Sequence, residues 1–319
     1  PLRTMPPTSP TMPPTASAAG VCHADAAAYT AARIVFNREV ATRTWRIRLD
    51  CPAIAATAVP GQFAMLRIPG RSDPLLARPL AVYETFTDEA DRLPAGPGAG
   101  RRFVDFLYLV HGKFTTALQD IGPGNELIIW GPLGNGFAAA PATDHLVLVA
   151  GGIGQTALLA FGRERLGGGG AYGAGRHVPP ARRVTLCWGA RTAAMFGDVD
   201  DFRSAGFDVR LATLDGSTGR KGTVIDLLDD VHAGGSIETA AGSTLVACCG
   251  PEGMMAAVSR WTADRHLPCL VSLEAPMACG IGICFTCVAR VKDPETGGWD
   301  YRRTCIEGPV FDATSIVWE

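Results

Sequence analysis

The chain has 319 residues, enough for two domains and a small appendage. With 47% hydrophobic and 19% charged residues it has an ordinary globular makeup, and a net charge of −2 gives no electrostatic reason to expect nucleic acid or an anionic membrane as partner. No run of eighteen apolar residues occurs, so no transmembrane helix is predicted.

The first twenty residues hold six prolines and no apolar signal-type core, so residues 1–28 are predicted to be a disordered tail and a secretory route is not expected. Residues 29–140 then read as an antiparallel barrel. Six short β-branched and aromatic segments are separated by turn residues: Ala32–Phe36, Thr44–Leu49, Gln62–Ile68, Leu80–Tyr83, Arg102–Val110 and Glu126–Trp130. In the second, Trp45, Ile47 and Leu49 alternate with Arg46 and Arg48, which predicts one buried and one wet face. Thr87–Gly100 is expected to be a surface excursion, and Lys113–Asp120 a short helical turn.

Residues 141–270 change texture. His145–Ala150 is a continuous apolar run, as a parallel strand covered on both faces would be. Further strands are expected at Arg183–Trp188, Phe207–Ala212 and Ser243–Cys249, with helices at Thr156–Arg165, Ala194–Ser204, Val224–Val231 and Gly253–Arg265. That alternation predicts a doubly wound α/β domain. The glycine-rich stretch 166–176 reads as a flexible insertion without chemistry. Gly151, Gly152 and Gly154 stand directly after the first strand, where a glycine turn lets a pyrophosphate approach the backbone. A plain tight turn is the alternative. No acidic residue ends the following strand; Trp188-Gly-Ala-Arg191 stands there, and Arg191 is a cation able to meet a 2′-phosphate.

Residues 271–319 carry the strongest signal. Cys279, Cys284 and Cys287 are spaced C-x4-C-x2-C, and Cys305 follows, the plant-type pattern for a [2Fe–2S] cluster. Gly280 and Gly282 fit a loop that must fold closely around an inorganic core. A zinc site would take its cysteines two and two, and paired disulfides would suit a secreted chain, so both are weaker readings. Cys187, Cys248 and Cys269 lie in apolar runs and are read as buried free thiols, which points to a reducing compartment, the cytoplasm. Met277 and Phe285 are read as packing that keeps water off the cluster. The six histidines follow no metal-ligand spacing, and His145 is read as structural.

Together, Arg78-Pro79-Leu80-Ala81, Gly131-Pro-Leu-Gly-Asn-Gly-Phe137, Gly151-Gly-Ile-Gly154 and Cys249-Gly-Pro-Glu-Gly-Met254 resemble the ferredoxin reductase superfamily. The cluster motif narrows this: the chain resembles the electron-transfer subunit of NAD-dependent dihydroorotate dehydrogenase. The resemblance implies FAD at Arg78, Pro79, Leu80, Ala81, Leu107, Tyr108, Leu109, Phe114 and Thr115. It implies NAD at Gly151, Gly152, Gly154 and Asp215, and no catalytic side chain. It further implies a partner, the FMN-containing dihydroorotate-oxidising subunit of pyrimidine biosynthesis, in a heterotetramer. Electrons would pass from that FMN through the cluster and FAD to NAD+. A diaphorase-type subunit of a hydrogenase, sulfide dehydrogenase or NADH-dependent ferredoxin–NADP reductase is the nearest alternative. A flavin-less metal-binding regulator is the alternative of another class.

Overall fold

A computed structural model describes residues 27–89, 100–137, 142–168, 172–173, 176–240 and 242–318. The predicted tail falls outside the described residues up to 26, as do 90–99 of the predicted surface excursion and parts of the glycine-rich stretch.

Six strands form a closed barrel: β1 (Ala28–Ala41), β2 (Thr44–Asp50), β3 (Phe63–Arg67), β4 (Arg78–Phe86), β5 (Phe103–Leu109) and β6 (Glu126–Leu133), in the order β1-β2-β5-β4-β3-β6. Every neighbouring pair is antiparallel. β1 serves both edges of the closure, pairing β6 along its first half and β2 along its second, and it shifts register at Ile34/Phe36 and Glu39/Ala41. Such bulges let one long strand bend around a small barrel. Ile34, Ile47, Leu49, Val104, Phe106 and Ile129 fill the interior. The short α1 (Pro52–Ala55) and α2 (Gly112–Gln119) add Ile54, Phe114 and Leu118 to that core.

The wet face expected of β2 is not wet. Arg46 and Arg48 are 4% and 2% exposed. Alternation correctly separates the two faces, but on the second face Arg46 meets the α/β domain and Arg48 is covered by the Phe86 ring and the Glu89 carbonyl, and both are tolerated because Asp105 on β5 accepts from both Nε atoms at 2.7 Å.

The α/β domain has β7 (His145–Gly151), α3 (Leu159–Arg165), β8 (Arg183–Ala190), α4 (Val199–Ser204), β9 (Asp208–Thr213), β10 (Arg220–Lys221), α5 (Val224–Ala233), β11 (Thr244–Cys249), α6 (Glu252–Ala263) and β12 (Cys269–Ser272). The remaining strands are β13 (Val288–Lys292), β14 (Trp299–Arg303) and β15 (Val310–Asp312). The sheet order is β10-β9-β8-β7-β11-β12-β15, parallel except for β15, while β13 and β14 form a separate hairpin. Strand order reverses beside β7, and open α/β sheets bind ligands outside the carboxyl ends of strands at such a switch point.

Two predicted helices are shortened. The one expected from Ala194 is a 3-10 turn at Ala193–Met195 followed by α4 from Val199, because this segment lies on the barrel: Thr42 N donates to Ala194 O at 2.9 Å, and a Cβ on Gly197 would touch Val40. The one expected from Thr156 begins as a 3-10 turn over Gly152–Ala157.

Two buried polar nodes tie the barrel to the helical layer of the α/β domain. Arg46 Nη1 reaches Asp198 at 2.8 Å and Asp201 at 2.7 Å, and the Tyr83 hydroxyl donates to Asp201 at 3.0 Å. Glu84 accepts from Arg163 Nη1 at 2.7 Å and from the Tyr172 hydroxyl at 2.8 Å. The glycine-rich stretch thus has anchored points, contrary to its reading as a flexible insertion. Tyr172 is fully buried, and Arg176 holds Glu164 Oε1 and Phe137 O, each at 2.7 Å.

Candidate redox site

The three segments singled out in the sequence converge. The cysteine loop sits on the outer wall of the barrel: Trp130 Nε1 on β6 donates to Cys279 O at 3.0 Å, and a Cβ on Gly280 would lie 2.6 Å from Met65 Cγ on β3. Gly280 and Gly282 both have left-handed φ, +73° and +81°, and a Cβ on the second would strike Ile306 at 2.6 Å. Glycine is required at both places. The return strand is fixed by Thr304, whose N and Oγ1 donate to Cys287 O at 2.8 and 2.9 Å, and by Arg303 Nη1 donating to Gly282 O at 3.0 Å. Nothing in the sequence marks Trp130, Met65 or Arg303 for this role, since each acts across a long gap in the chain.

The sulfurs are asymmetrically placed. Cys287 and Cys305 are buried, in a cluster with Phe63, Met65, Ala77 and Met277, whereas Cys284 is exposed. Cys279 Sγ and Cys284 Sγ are 3.3 Å apart, and the Ile281 N–H points at Cys279 Sγ from 3.4 Å. The Thr286 hydroxyl and amide, with Cys279 beside it, bring the Cys284 thiol down to about 6. Burial and the neighbouring Cys287 push Cys305 up to about 12. Four free thiols on one glycine-bearing loop and its return strand, two of them buried against apolar side chains, are the soft donor set that an iron–sulfur group takes. Among the described residues no three Cys, His, Asp or Glu donors surround one point; a two-iron centre shares its four thiolates between two metals. Met277 is buried as expected, but Phe285 is not packing: it is 61% exposed at φ +56°, with the Arg303 guanidinium 5.0 Å from its ring.

The flavin motif lies one strand from that loop. Met65, which Gly280 touches, pairs with Pro79, and Leu66 pairs with Arg78. Pro79, Leu80 and Ala81 are half-buried, and Arg78 is exposed, its Nη1 donating only to Leu76 O and Ala77 O among the described residues. An arginine without a carboxylate partner beside a partly open strand fits a phosphate-bearing flat ligand. Leu109 is exposed at the end of β5. Leu107, Tyr108 and Phe114 turn their side chains into the core, with the Tyr108 hydroxyl donating to Asn37 Oδ1 at 2.8 Å, so only their backbone is available to a ligand. The Thr115 hydroxyl closes its own turn, donating to His111 O at 2.8 Å.

The glycine turn opens a cleft of 690 Å³ at the switch point. Its walls include Thr44 and Leu109 from the barrel rim, Gly151 at the end of β7 with the turn through Gln155, Ala190 at the end of β8 with Arg191 beyond it, Pro251 after β11 and Glu274. Gly152 has φ +54°, and a Cβ there would project into open space, whereas one on Gly154 would strike Cys249 O at 2.2 Å. The turn is thus pressed onto β11 while its outer side stays bare, a cradle suited to a dinucleotide. Asp215 stands outside the cleft walls; its Oδ1 accepts from Ser217 N at 3.0 Å and Oγ at 2.6 Å, and these bonds hold its carboxyl below the usual range. Of the cleft residues, Arg191 is the cation that the sequence marks as able to meet a 2′-phosphate, whereas nothing in the sequence marks Glu274.

A six-stranded antiparallel barrel, a doubly wound α/β domain and a C-terminal four-cysteine loop seated on the barrel wall define the ferredoxin reductase-like fold with an iron–sulfur lobe. The fold matches an NADH-dependent reduced ferredoxin–NADP oxidoreductase with a TM-score of 0.69 over 90% of both chains at 24% identity. It also matches a ferredoxin NADP+ reductase from Neisseria gonorrhoeae, solved with FAD and NADP bound, with a TM-score of 0.55 at 14% identity, covering 74% of this chain and 91% of that one. Residues 274–317 match the iron–sulfur cluster binding domain of dihydroorotate dehydrogenase B. The chain is 33% identical over 288 residues to the electron transfer subunit of dihydroorotate dehydrogenase B (NAD(+)) of Desulforamulus reducens, spanning 90% of this chain and 98% of the relative. It is 32% identical to that of Geobacillus thermodenitrificans, spanning 89% and 96%. The chain belongs to this family of electron transfer subunits, and as a subunit it works with a catalytic partner. No helix among the described residues is long and apolar enough to cross a membrane.

Proposed function

We propose that this chain carries electrons from the FMN of a dihydroorotate-oxidising partner to NAD+. A [2Fe–2S] cluster held by Cys279, Cys284, Cys287 and Cys305 and an FAD on the barrel wall at Arg78–Ala81 would be its two redox stations. One adjacency carries the reading: Gly280 of the cysteine loop rests on Met65, and Met65 pairs with Pro79 of the flavin motif, so both sites share one pair of strands. When bound, the cluster supplies single-electron transfer and the flavin links it to two-electron hydride exchange with nicotinamide.

The chain's own residues then have distinct tasks. Met65, Leu133 and Met277 keep water from the inner side of the loop, while Cys284 faces outward. Trp130 and Arg303 fix the loop through the carbonyls of Cys279 and Gly282. Gly152 leaves room for the nucleotide, and the two interdomain nodes hold the cleft beside the barrel rim. No side chain is required to move a proton. Ile283 and Phe285, 74% and 61% exposed on either side of Cys284, make the apolar face on which the partner would dock. The proposed assembly is a heterotetramer. Buried free thiols at Cys187, Cys248 and Cys269 support a reducing, cytoplasmic location.

The test is co-expression with the FMN-containing subunit under anaerobic conditions, followed by iron, acid-labile sulfide and flavin analysis and dihydroorotate-dependent reduction of NAD+. A complex lacking the cluster, or one in which a hydrogenase-type subunit replaces the expected partner, would reject this assignment.

A further inference from the structure

Resting on the flavin site read above, we propose that the Gln155 carboxamide hydrogen-bonds the pyrimidine edge of the flavin ring and so sets the ring's place between barrel and α/β domain. Gln155 is 1% exposed, yet its Oε1 has no hydrogen-bond partner among the described residues. Other buried polar side-chain atoms lack a partner, but only Gln155 Oε1 belongs to a residue that lines the cleft at the switch point. A buried acceptor left unpaired destabilises the fold that carries it, so such an atom in a cleft wall points to a ligand that supplies the missing donor.

The local geometry says which ligand. Gln155 belongs to the 3-10 turn Gly152–Ala157, and residues three apart in such a turn lie on one side of it, about 6 Å apart along its axis. Gln155 therefore shares the side of Gly152, where a Cβ would meet open space, while Gly154 between them presses on Cys249 O. Gly152 is half-buried at the mouth of the cleft, and Gln155 is sealed one turn deeper. The turn packs on β4 and β5. β4 begins with Arg78–Ala81 and β5 ends with Leu107–Leu109; the strands are antiparallel and pair at Val82 and Phe106, so both segments lie at one end of the barrel. Thr44 and Leu109, opposite each other in β2 and β5, carry that rim into the cleft wall. A flat ring resident on the rim thus meets the deep side of the turn, whereas a nucleotide that comes and goes meets its open side at Gly152.

The chemistry matches as well. Oε1 needs a donor, and an oxidised isoalloxazine has a single ring N–H, at N3, with a carbonyl on either side. A carboxamide presents an acceptor and an NH2 donor side by side. With Oε1 accepting from N3–H, Nε2 is left to donate to the neighbouring carbonyl, and the two bonds together fix the ring in its own plane.

Flavin-free, cluster-loaded protein titrated with FAD and with N3-methyl FAD, whose methyl group replaces the N3 proton, tests this through quenching of flavin fluorescence in the absence of NAD+. Wild type should bind N3-methyl FAD at least about tenfold more weakly than FAD, because the methyl group leaves Oε1 unpaired. Gln155→Met, similar in length but without the amide, should bind FAD about 5- to 10-fold more weakly than wild type and take both flavins alike to within about twofold. Without flavin, Gln155→Met should melt no lower than wild type, since an apolar side chain replaces an unpaired amide. Equal affinity of wild type for the two flavins, an undiminished preference for FAD in Gln155→Met, or a lower flavin-free melting point in that variant overturns the assignment. So does an effect of the substitution that appears only after NAD+ is added, which would give the amide to the nicotinamide. Wild-type protein that binds neither flavin overturns the flavin reading itself.

Discussion

Arg46 Nη1 lies 2.7 Å from Asp201 Oδ2, across the seam between the barrel and the α/β domain. The same guanidinium meets Asp105 on its own barrel and Asp198 beside Asp201, and it covers the Tyr83 ring at 5.0 Å. Burial, only partly offset by Arg46, holds the Asp201 carboxyl above the usual range, and burial likewise pushes the Tyr83 hydroxyl up. One arginine therefore compensates three carboxylates at the seam between the barrel and the α/β domain. Removing one partner of a buried ionic group costs about 3–5 kcal/mol, because the remaining charges lose their compensation. Arg46→Met should lower stability toward denaturant by about that amount, and Arg46→Lys by less. A loss below about 1 kcal/mol would mean that the node is solvated in solution and does not hold the seam.

His145 gives a prediction with a definite sign. Its Nδ1 lies 2.9 Å from Ser236 O and its Nε2 2.9 Å from Thr185 Oγ1. A carbonyl only accepts, so Nδ1 carries the proton and Nε2 accepts from the hydroxyl, which is the neutral ring. Burial, with Arg183 nearby, lowers its pKa from 6.5 to about 4. The unfolded chain thus takes up a proton on this group below pH 6.5 while the folded chain does not until about pH 4, so stability falls as pH falls through that window. His145→Asn, which keeps a donor toward Ser236, should flatten the decline between pH 6.5 and 5 in denaturant titrations. An unchanged slope would assign the acid sensitivity elsewhere.

Much of this architecture is legible from local pattern. Six β-rich segments close as a barrel because each carries its own alternation, and the run 145–150 reads as a central strand because both of its faces are covered. What escapes is whatever depends on distant partners. Arg46 and Arg48 look wet until Asp105, Asp198 and Asp201 arrive from elsewhere in the chain, and Tyr172 looks like part of a loose insertion until Glu84 and Arg163 enclose it. β15 is hidden for the same reason: three residues, Val310–Asp312, become a strand only through β12. The four cysteines are legible by spacing alone, but the barrel wall that seats them is not, since Trp130 and Cys279 are separated by most of the α/β domain.

The outward placement of Cys284 separates two activities. Cys284→Ser removes a thiolate from the exposed side of the loop, while the buried Cys287 and Cys305 and the contact of Gly280 with Met65 remain. Iron and acid-labile sulfide per chain should fall sharply, and dihydroorotate-dependent reduction of NAD+ in the complex should drop by at least about tenfold. FAD content and NADH oxidation by an artificial two-electron acceptor should be retained, because the cleft and Arg78–Ala81 lie on other elements. If both activities vanish together, the loop is a folding requirement for the whole chain.

Docking has its own separable readout. Ile283 and Phe285 present apolar surface beside Cys284 without being needed inside the loop, as their exposure of 74% and 61% shows. Exposed apolar groups that flank a redox centre gain about 25 cal/mol per Å² when a partner covers them, and a carboxylate in their place loses its hydration on burial. Ile283→Asp should therefore weaken capture of the FMN-containing subunit by at least about 100-fold, equivalent to about 2.7 kcal/mol. Cluster content, flavin content and NADH oxidation by an artificial acceptor should all match wild type, because Ile283 touches neither the barrel wall nor the cleft. Undiminished assembly would move the docking surface off the cysteine loop, to the exposed Trp299 and Tyr301 on the β14 hairpin, where the paired change Trp299→Ser and Tyr301→Ser would then be the variant that separates the subunits.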